Sequence, residues 1–191
     1  MKTLRLIFFI LTGIIVLTLV VAAFLPDNIT ITSSVEINAA PATVYGNVVT
    51  LKNWKNWSPF EHDSTMTDRF SGPDSGVGAT RQWKGKKMGE GKMTIVEAKP
   101  FKLIKNKLDF GPKGGAEGTW KFIPLDSART KVTWSTHITG LSYPAERLLG
   151  AAIRSMMKPM FDNGLKDLKQ YTETGKVTPK ETTSKKQSNN E

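Results

Sequence analysis

The side chains that most often carry enzyme chemistry are few in this sequence and form no familiar set. The chain of 191 residues has no cysteine and only two histidines, His62 and His137. Without cysteine there is no disulfide framework, no thiolate metal site and no cysteine nucleophile. The two histidines are far apart, and neither fits the spacing of a metal triad or a Ser-His-Asp system. We therefore expect no metal, no cofactor and no catalytic residue set.

Two short segments look like chemical motifs but are explained better by structure. Segment 61–63, Glu-His-Asp, is a single acidic loop cluster and gives weak support for acid–base catalysis. Segment 89–92, Gly-Glu-Gly-Lys, looks like a phosphate loop, but Met93 stands where Ser or Thr should follow the lysine. Because a strand rather than a helix follows it, we interpret this segment as a hairpin turn.

The basic charge of the chain does not point to nucleic acid. The net charge of +10 and the pI of about 9.8 are spread thinly rather than in blocks. A platform for nucleic-acid bases would interleave aromatic and basic residues on one exposed face. Here lysines alternate with the aromatic residues of the predicted strands and so lie on the opposite face. We expect no nucleic-acid partner.

A long apolar segment precedes the rest of the chain. Leu6–Leu25 contains no charged residue and is long enough to cross a hydrocarbon core of roughly 30 Å. Lys2 and Arg5 precede it, which places the N-terminus in the cytoplasm and the remainder on the extracytoplasmic side. Segment 21–23, Val-Ala-Ala, leaves a cleaved signal peptide as the alternative. We favour an uncleaved anchor, because the apolar segment is longer than a usual signal core.

Hydrophobic alternation and turn residues predict a domain of mixed helices and strands. A first strand is predicted at 29–37, followed by two short helices, one opening at Pro41 and one over 51–57. Six further strands joined by tight turns are predicted at 66–71, 78–84, 90–97, 102–110, 116–124 and 130–139. The predicted division is a membrane anchor at 1–26, one domain at 27–174 and a disordered polar tail at 175–191.

The only other long helical pattern runs from Ser142 to Thr174. Its apolar stripe includes Leu149 and Met156 and is displaced by about one residue beyond Pro159, so we predict a kink or break there. A single helix covers only part of a curved seven-stranded sheet, and the uncovered concave face must collapse, fill or enclose a cavity. The candidate lining of such a cavity is Arg81, Trp83, Met93, Ile104, Leu108, Phe110, Trp120, Phe122, Trp134, Met156 and Met160.

Several segments in order resemble one known family. They are Trp-x-x-Trp-Ser-Pro-Phe at 54–60, Gly-Pro at 72–73 with Gly-Val-Gly-Ala at 76–79, Trp-x-Gly at 83–85, Gly-x-Gly-x-Met-Thr-Ile at 89–95, Thr-Lys-Val-Thr-Trp at 130–134, and Gly-Leu-x-x-Leu-Lys at 164–169. Over residues 30–173 the chain resembles the SRPBCC superfamily, and within it the polyketide cyclase/dehydrase and lipid transport branch in its membrane-anchored version. The resemblance implies an α+β, START-like helix-grip fold, in which a curved antiparallel sheet wraps the C-terminal helix around an apolar pocket.

One residue departs from the family pattern. Where the family often carries an aromatic residue, this chain has Arg81, which by alternation shares a face with Ala79 and Trp83. A buried guanidinium needs a partner. Asp68 of the preceding strand or the anionic head group of a ligand could supply it, and a place at the open mouth of the pocket is a further alternative.

Three functions fit these expectations. The leading hypothesis is membrane-tethered binding or transport of a hydrophobic or amphipathic small molecule, with lipid included. The second is an enzyme of the cyclase/aromatase kind, for which the inward polar candidates are Arg81, Asn106 and Thr136. The third is a regulatory interaction module with a closed cavity. The residues leave the ligand and the oligomeric state open.

Overall fold

The computed structural model describes residues 2–61 and 63–177. His62 and positions 178–191 of the predicted tail lie outside the described residues. The helices are α1 (Lys2–Phe24), α2 (Pro41–Val49) and α3 (Ala145–Thr174), with short 3₁₀ turns at Leu51–Asn56 and Gly111–Lys113. The strands are β1 (Asn28–Ile37), β2 (Thr67–Ser71), β3 (Thr80–Gly85), β4 (Gly89–Lys99), β5 (Leu103–Asp109), β6 (Gly115–Pro124) and β7 (Thr130–Thr139).

The strands form one antiparallel sheet in the order β1-β7-β6-β5-β4-β3-β2. Strands β2 to β7 follow one another as a meander, and β1 closes the far edge by pairing with β7 over its whole length. The register of β4 against β5 shifts between Ile95 and Glu97, and such a bulge bends the strand and increases its twist. The predicted α+β helix-grip architecture is confirmed.

The convex face of the sheet is polar, as alternation predicts. On the pair β1–β7, Thr30 Oγ1 lies 2.9 Å from His137 Nδ1, and Thr32 Oγ1 lies 2.8 Å from Ser135 Oγ. These are cross-strand pairs, which stabilise the register of adjacent strands. His137 is therefore part of the outer polar row, where the sequence predicts it.

Helix α3 covers the concave face through one continuous apolar row. Gly150, Ile153, Met157, Phe161 and Leu165 follow one another at intervals of three or four residues, and all are buried or half-buried. This spacing keeps one face of a helix toward the sheet. Of the predicted kink or break at Pro159, the break is wrong, because the helix continues through that residue without interruption.

The predicted displacement of the apolar stripe is also wrong. It depended on reading Leu149 and Met156 as inward, but Met156 is 67% exposed and Leu149 is exposed too. Each has an inward-facing neighbour one position later, Gly150 or Met157. Because the glycine adds no hydrophobicity to the pattern, the more apolar but outward residues dominated the periodicity.

The two tryptophans of the Trp-x-x-Trp segment complete the end of α2. The indole N–H of Trp54 donates to the carbonyl of Val48 at 2.8 Å, and that of Trp57 donates to the carbonyl of Asn47 at 3.2 Å. The last carbonyls of a helix have no partner within the helix. The spacing of the two tryptophans therefore lets their indole N–H groups pair with these carbonyls while both rings enter the core.

Helix α1 is long and apolar enough to span a membrane, a property that signal sequences near an N-terminus share. Of its described residues only Ala22 is buried. Near its C-terminal end, the carbonyl of Leu19 accepts a hydrogen bond of 3.0 Å from the hydroxyl of Tyr143. The apolar surface of α1 is therefore not covered by the domain.

We predict that Gly164→Ala destabilises the domain by about 1–3 kcal/mol, because α3 approaches the 58–60 segment most closely here. A Cβ at Gly164 would lie 2.7 Å from Cδ of Pro59, a rigid ring, and 3.2 Å from the Trp134 ring. The matched control is Gly46→Ala in α2, where a Cβ would have no neighbour within 4 Å. The control should leave stability unchanged or raise it by up to about 1 kcal/mol. Urea unfolding of the full chain in detergent, followed by tryptophan fluorescence, measures both, and equal effects would contradict the prediction.

Candidate functional site

An apolar cavity of about 240 Å³ lies between the concave face of the sheet, α3 and the segment that precedes β2. For scale, a dry engineered cavity of about 150 Å³ is large enough to hold benzene. The lining comes from five strands, from α3 and from the connecting segments, and consists of Trp54, Ser58, Phe60, Glu61, Met66, Arg81, Trp83, Met88, Met93, Asn106, Leu108, Phe110, Ala116, Trp134, Thr136, Ile138, Met157 and Phe161.

The structure brings six of the eleven candidate residues together around this cavity. They are Arg81, Trp83, Met93, Leu108, Phe110 and Trp134. Ile104, Trp120 and Phe122 also point inward, but they are buried in the core and do not line the cavity. Phe122 packs edge-on against Tyr45 of α2, and Trp120 packs edge-on against Trp54. At that end of the sheet, side chains have filled the concave face.

The two candidate methionines of α3 are not part of the lining. Met156 is exposed to solvent, and Met160 is half-buried outside the cavity. The methionine of α3 that lines the cavity is Met157, one turn before Phe161 on the inward row of the helix. The correction follows from the inward face of α3 described above.

Apart from Phe110, sequence reasoning missed the part of the lining that lies outside the strands. Phe60, Glu61 and Met66 come from the segment between α2 and β2, and Met88 comes from the β3–β4 turn. Residues in irregular segments have no periodicity from which a face could be inferred. The usable signal was the occurrence of large apolar residues in segments otherwise typical of loops.

A stack of three aromatic rings separates the cavity from the filled core. The ring of Trp134 lies between Trp120, at a centroid distance of 4.4 Å, and Phe161 of α3, at 4.0 Å. Both pairs are close to parallel, with interplanar angles of 16° and 23°. Trp134 and Phe161 line the cavity, whereas Trp120 is fully buried behind them.

A charged cluster lies at the cavity and is balanced internally. Arg81 is 5% exposed and donates from Nε and Nη2 to Asp68 at 2.8 and 2.9 Å, and from Nη1 and Nη2 to Glu61 at 2.6 and 2.9 Å. Burial opposes the charge, but the hydrogen bonds that Arg81 donates to the two carboxylates, together with their negative charges, outweigh it and raise the pKa of Arg81 above its ordinary value. The ion pair between Arg81 and Asp68 is one of the alternatives that the sequence offered, whereas the second ion pair, with Glu61, was not predicted. With two carboxylates and one guanidinium, the cluster carries a net charge of −1.

Asp63 ties the segment before β2 to the β3–β4 turn. Its carboxylate accepts hydrogen bonds from the hydroxyl and backbone N–H of Thr65 and from the backbone N–H groups of Lys87 and Met88. The hydroxyl of Thr65 and the N–H of Met88 contribute most to holding the pKa of Asp63 well below its ordinary value. Two segments that both supply lining residues are thereby held together.

No metal centre accompanies the cavity within residues 2–61 and 63–177. No group of three or more His, Asp or Glu side chains in this part of the chain is arranged to hold a metal ion. Of the described lining residues only Glu61 and Arg81 carry charge, and they are paired with each other. What the site offers a ligand is apolar surface, aromatic rings and a few uncharged polar groups.

The fold and the motif order agree with one family. The family model described as polyketide cyclase / dehydrase and lipid transport matches residues 28–173, which is the whole domain without α1. The chain belongs to this family, within the SRPBCC superfamily. No curated protein matches the chain.

Solved structures share the fold at low sequence identity. The solution structure of the Aha1 dimer from Colwellia psychrerythraea is 19% identical with a TM-score of 0.54, over 78% of this chain and 98% of that one. Norcoclaurine synthase from Thalictrum flavum, in complex with dopamine and hydroxybenzaldehyde, is 13% identical with a TM-score of 0.60, over 79% of this chain and 90% of that one. At these identities the likeness shows the fold alone.

We predict that Arg81→Met destabilises the domain by about 2–3 kcal/mol at neutral pH, because Glu61 and Asp68 are left facing each other without a cation. Urea unfolding at neutral pH measures the change. The control combines Arg81→Met with Glu61→Gln and Asp68→Asn, which removes the repulsion, and it should recover most of the lost stability. A triple variant as unstable as the single one would contradict the prediction.

Proposed function

We propose that this protein binds a hydrophobic or amphipathic small molecule in the cavity and holds it beside a membrane. The observation that carries the proposal is the apolar cavity of about 240 Å³ between Trp83, Met93, Leu108 and Phe161. Packed interiors leave few voids larger than a water molecule, so a cavity of this size is unusual for a core that is merely structural. Apolar walls with a few polar groups are typical of small-molecule sites.

The size and charge of the cavity restrict the ligand. Typical pockets for drug-sized ligands measure about 300–1,000 Å³, and this cavity lies just below that range. It suits a fused-ring compound or a short acyl chain, whereas a two-chain lipid would leave most of its chains outside. An anionic head group would meet the net negative cluster around Arg81 rather than a free cation.

Binding is favoured over the two alternatives. A cyclase needs a group that polarises a carbonyl or transfers a proton. Among the described lining residues the only carboxylate is Glu61, whose two oxygens both accept from Arg81. Asn106 and Thr136 remain as inward polar groups, but neither is a strong acid or base. An interaction module with a closed cavity would have no use for the open volume beside Trp134.

We further propose that α1 is an uncleaved anchor with the N-terminus in the cytoplasm and the domain on the extracytoplasmic side. The uncovered apolar surface of α1 supports insertion into lipid, because such a surface in water would be highly unfavourable. Lys2 and Arg5 lie on the side that remains in the cytoplasm under the positive-inside rule. The tether would keep the cavity close to a supply of apolar molecules.

We predict that Ala116→Leu weakens ligand binding about tenfold. Ala116 is a small residue in the cavity wall, and a leucine side chain would occupy part of the volume. The matched control is Ala128→Leu, the same change in an exposed turn. Organic extraction of the full chain purified in detergent, followed by mass spectrometry, should find one small molecule with the wild type and with the control, and about tenfold less with Ala116→Leu. Equal amounts in all three would show binding elsewhere, and no bound molecule together with no uptake from liposomes would contradict the proposal.

The anchor has its own test. We expect the chain recovered from the membrane fraction to have its full mass of 21.1 kDa. A membrane-impermeant lysine reagent added from outside should modify lysines of the domain, such as Lys84 and Lys107, and should not modify Lys2. A mass reduced by about the first 23 residues would show a cleaved signal peptide instead.

A further inference from the structure

The cavity wall contains a buried asparagine. Asn106 of β5 is 4% exposed and lines the cavity. Its buried Oδ1 has no hydrogen-bond partner among the described residues. Buried polar groups are nearly always hydrogen-bonded, because an unpaired one loses its hydration without compensation. An apolar residue of the same shape would avoid this cost, so core packing alone does not explain an asparagine here.

The strands place a second free polar group beside it. On the concave face Asn106 pairs with Gly118 of β6, and Gly118 pairs with Thr136 of β7. Gly118 has no side chain, and the place that its Cβ would take is occupied by the carboxamide of Asn106. Thr136 is 6% exposed, also lines the cavity and has no side-chain hydrogen bond within the described part of the chain.

The surroundings of this pair are apolar. The next residues in the same row across the sheet are Ile95 on one side and Ile31 on the other, and both are buried. The two groups therefore form an isolated polar spot on an apolar wall. A carboxamide oxygen accepts hydrogen bonds, its NH₂ group donates them, and a threonine hydroxyl does both. The buried Oδ1 of Asn106 is the atom that still needs a donor.

We propose that Asn106 and Thr136 form a hydrogen-bonding subsite that selects an uncharged apolar ligand carrying a hydroxyl or N–H group. This inference rests on the proposed function of the cavity. The ligand group donates to Oδ1 of Asn106 and exchanges a hydrogen bond with the hydroxyl of Thr136. The group is uncharged, because the two charged residues of the lining, Arg81 and Glu61, already neutralise each other and no further charged residue of the described lining could pair with it.

The test compares two probes of nearly equal shape. β-Naphthol carries the donor, and β-methylnaphthalene replaces it with a methyl group. Titration calorimetry measures their affinities for the full chain in lipid nanodiscs and for the Asn106→Leu variant. Partition of each probe into lipid is the same for both proteins, so it cancels when the ratio of the two affinities is compared between them. We expect the preference for naphthol to fall about fivefold in the variant, as for loss of one neutral hydrogen bond, with methylnaphthalene binding retained.

A second variant makes the test independent of how Asn106→Leu folds. Thr136→Val keeps the β-branched shape and removes the hydroxyl, and it should lower the preference for naphthol about two- to fivefold. Its matched control is Thr133→Val on the same strand, where the hydroxyl lies 2.9 Å from Ser34 Oγ on the outer face. The control should leave the ratio unchanged.

The outcomes separate the two levels of the proposal. If both probes bind and neither inward variant changes the ratio of their affinities, the subsite is overturned and the cavity remains a binding site. If neither probe binds the wild type, the function proposed for the cavity is overturned and the subsite with it. A preference that falls in both inward variants and not in Thr133→Val supports the subsite.

Discussion

The stack of Trp120, Trp134 and Phe161 sets the spacing between sheet and helix on which the rest of the domain depends. Aromatic rings are large and rigid, so two rings from adjacent strands and one from α3 fix a distance that aliphatic side chains would leave adjustable. Behind the stack, Trp57 fills the concave face, whereas Trp54 reaches the cavity wall, and the indole N–H groups of both satisfy the end of α2. In front of it the sheet continues beyond the reach of the helix. The cavity occupies the space that a single helix cannot fill.

The open side of the cavity depends on charge rather than on aromatic packing. Arg81 joins Glu61 of the segment before β2 to Asp68 of β2, and Asp63 joins the same segment to the β3–β4 turn. Together these contacts hold three irregular or peripheral pieces around one end of the sheet. They explain how a segment without regular structure can supply lining residues such as Phe60 and Met66. Polar contacts of this kind position the lining residues, and under the proposed function the apolar lining would provide the affinity for a ligand.

The sequence was sufficient to predict the strands, but it was insufficient to predict which residues line the cavity. Alternation placed Met93, Leu108 and Trp134 on the concave face, since a residue in a strand can face only two ways. On α3 the same kind of pattern failed by one position, because Gly150 contributes no hydrophobicity and Met156 contributes much. Alternation also could not separate Trp120 from Trp134, because both face inward and only packing against Trp57 assigns Trp120 to the core. Glu61 was out of reach, since its role depends on how an irregular segment folds back over Arg81.

The connection between α1 and β1 sets a limit on where this domain can go. Helix α1 ends at Phe24 and β1 begins at Asn28, so only three residues intervene, one of them a proline. Fully extended, such a link spans roughly 10–15 Å, less than the thickness of a bilayer. With α1 held in lipid, the domain would stay against the surface of its own membrane and could not carry a ligand to a second membrane. Any transfer of the ligand would have to occur at that membrane surface, to a partner that reaches the domain there.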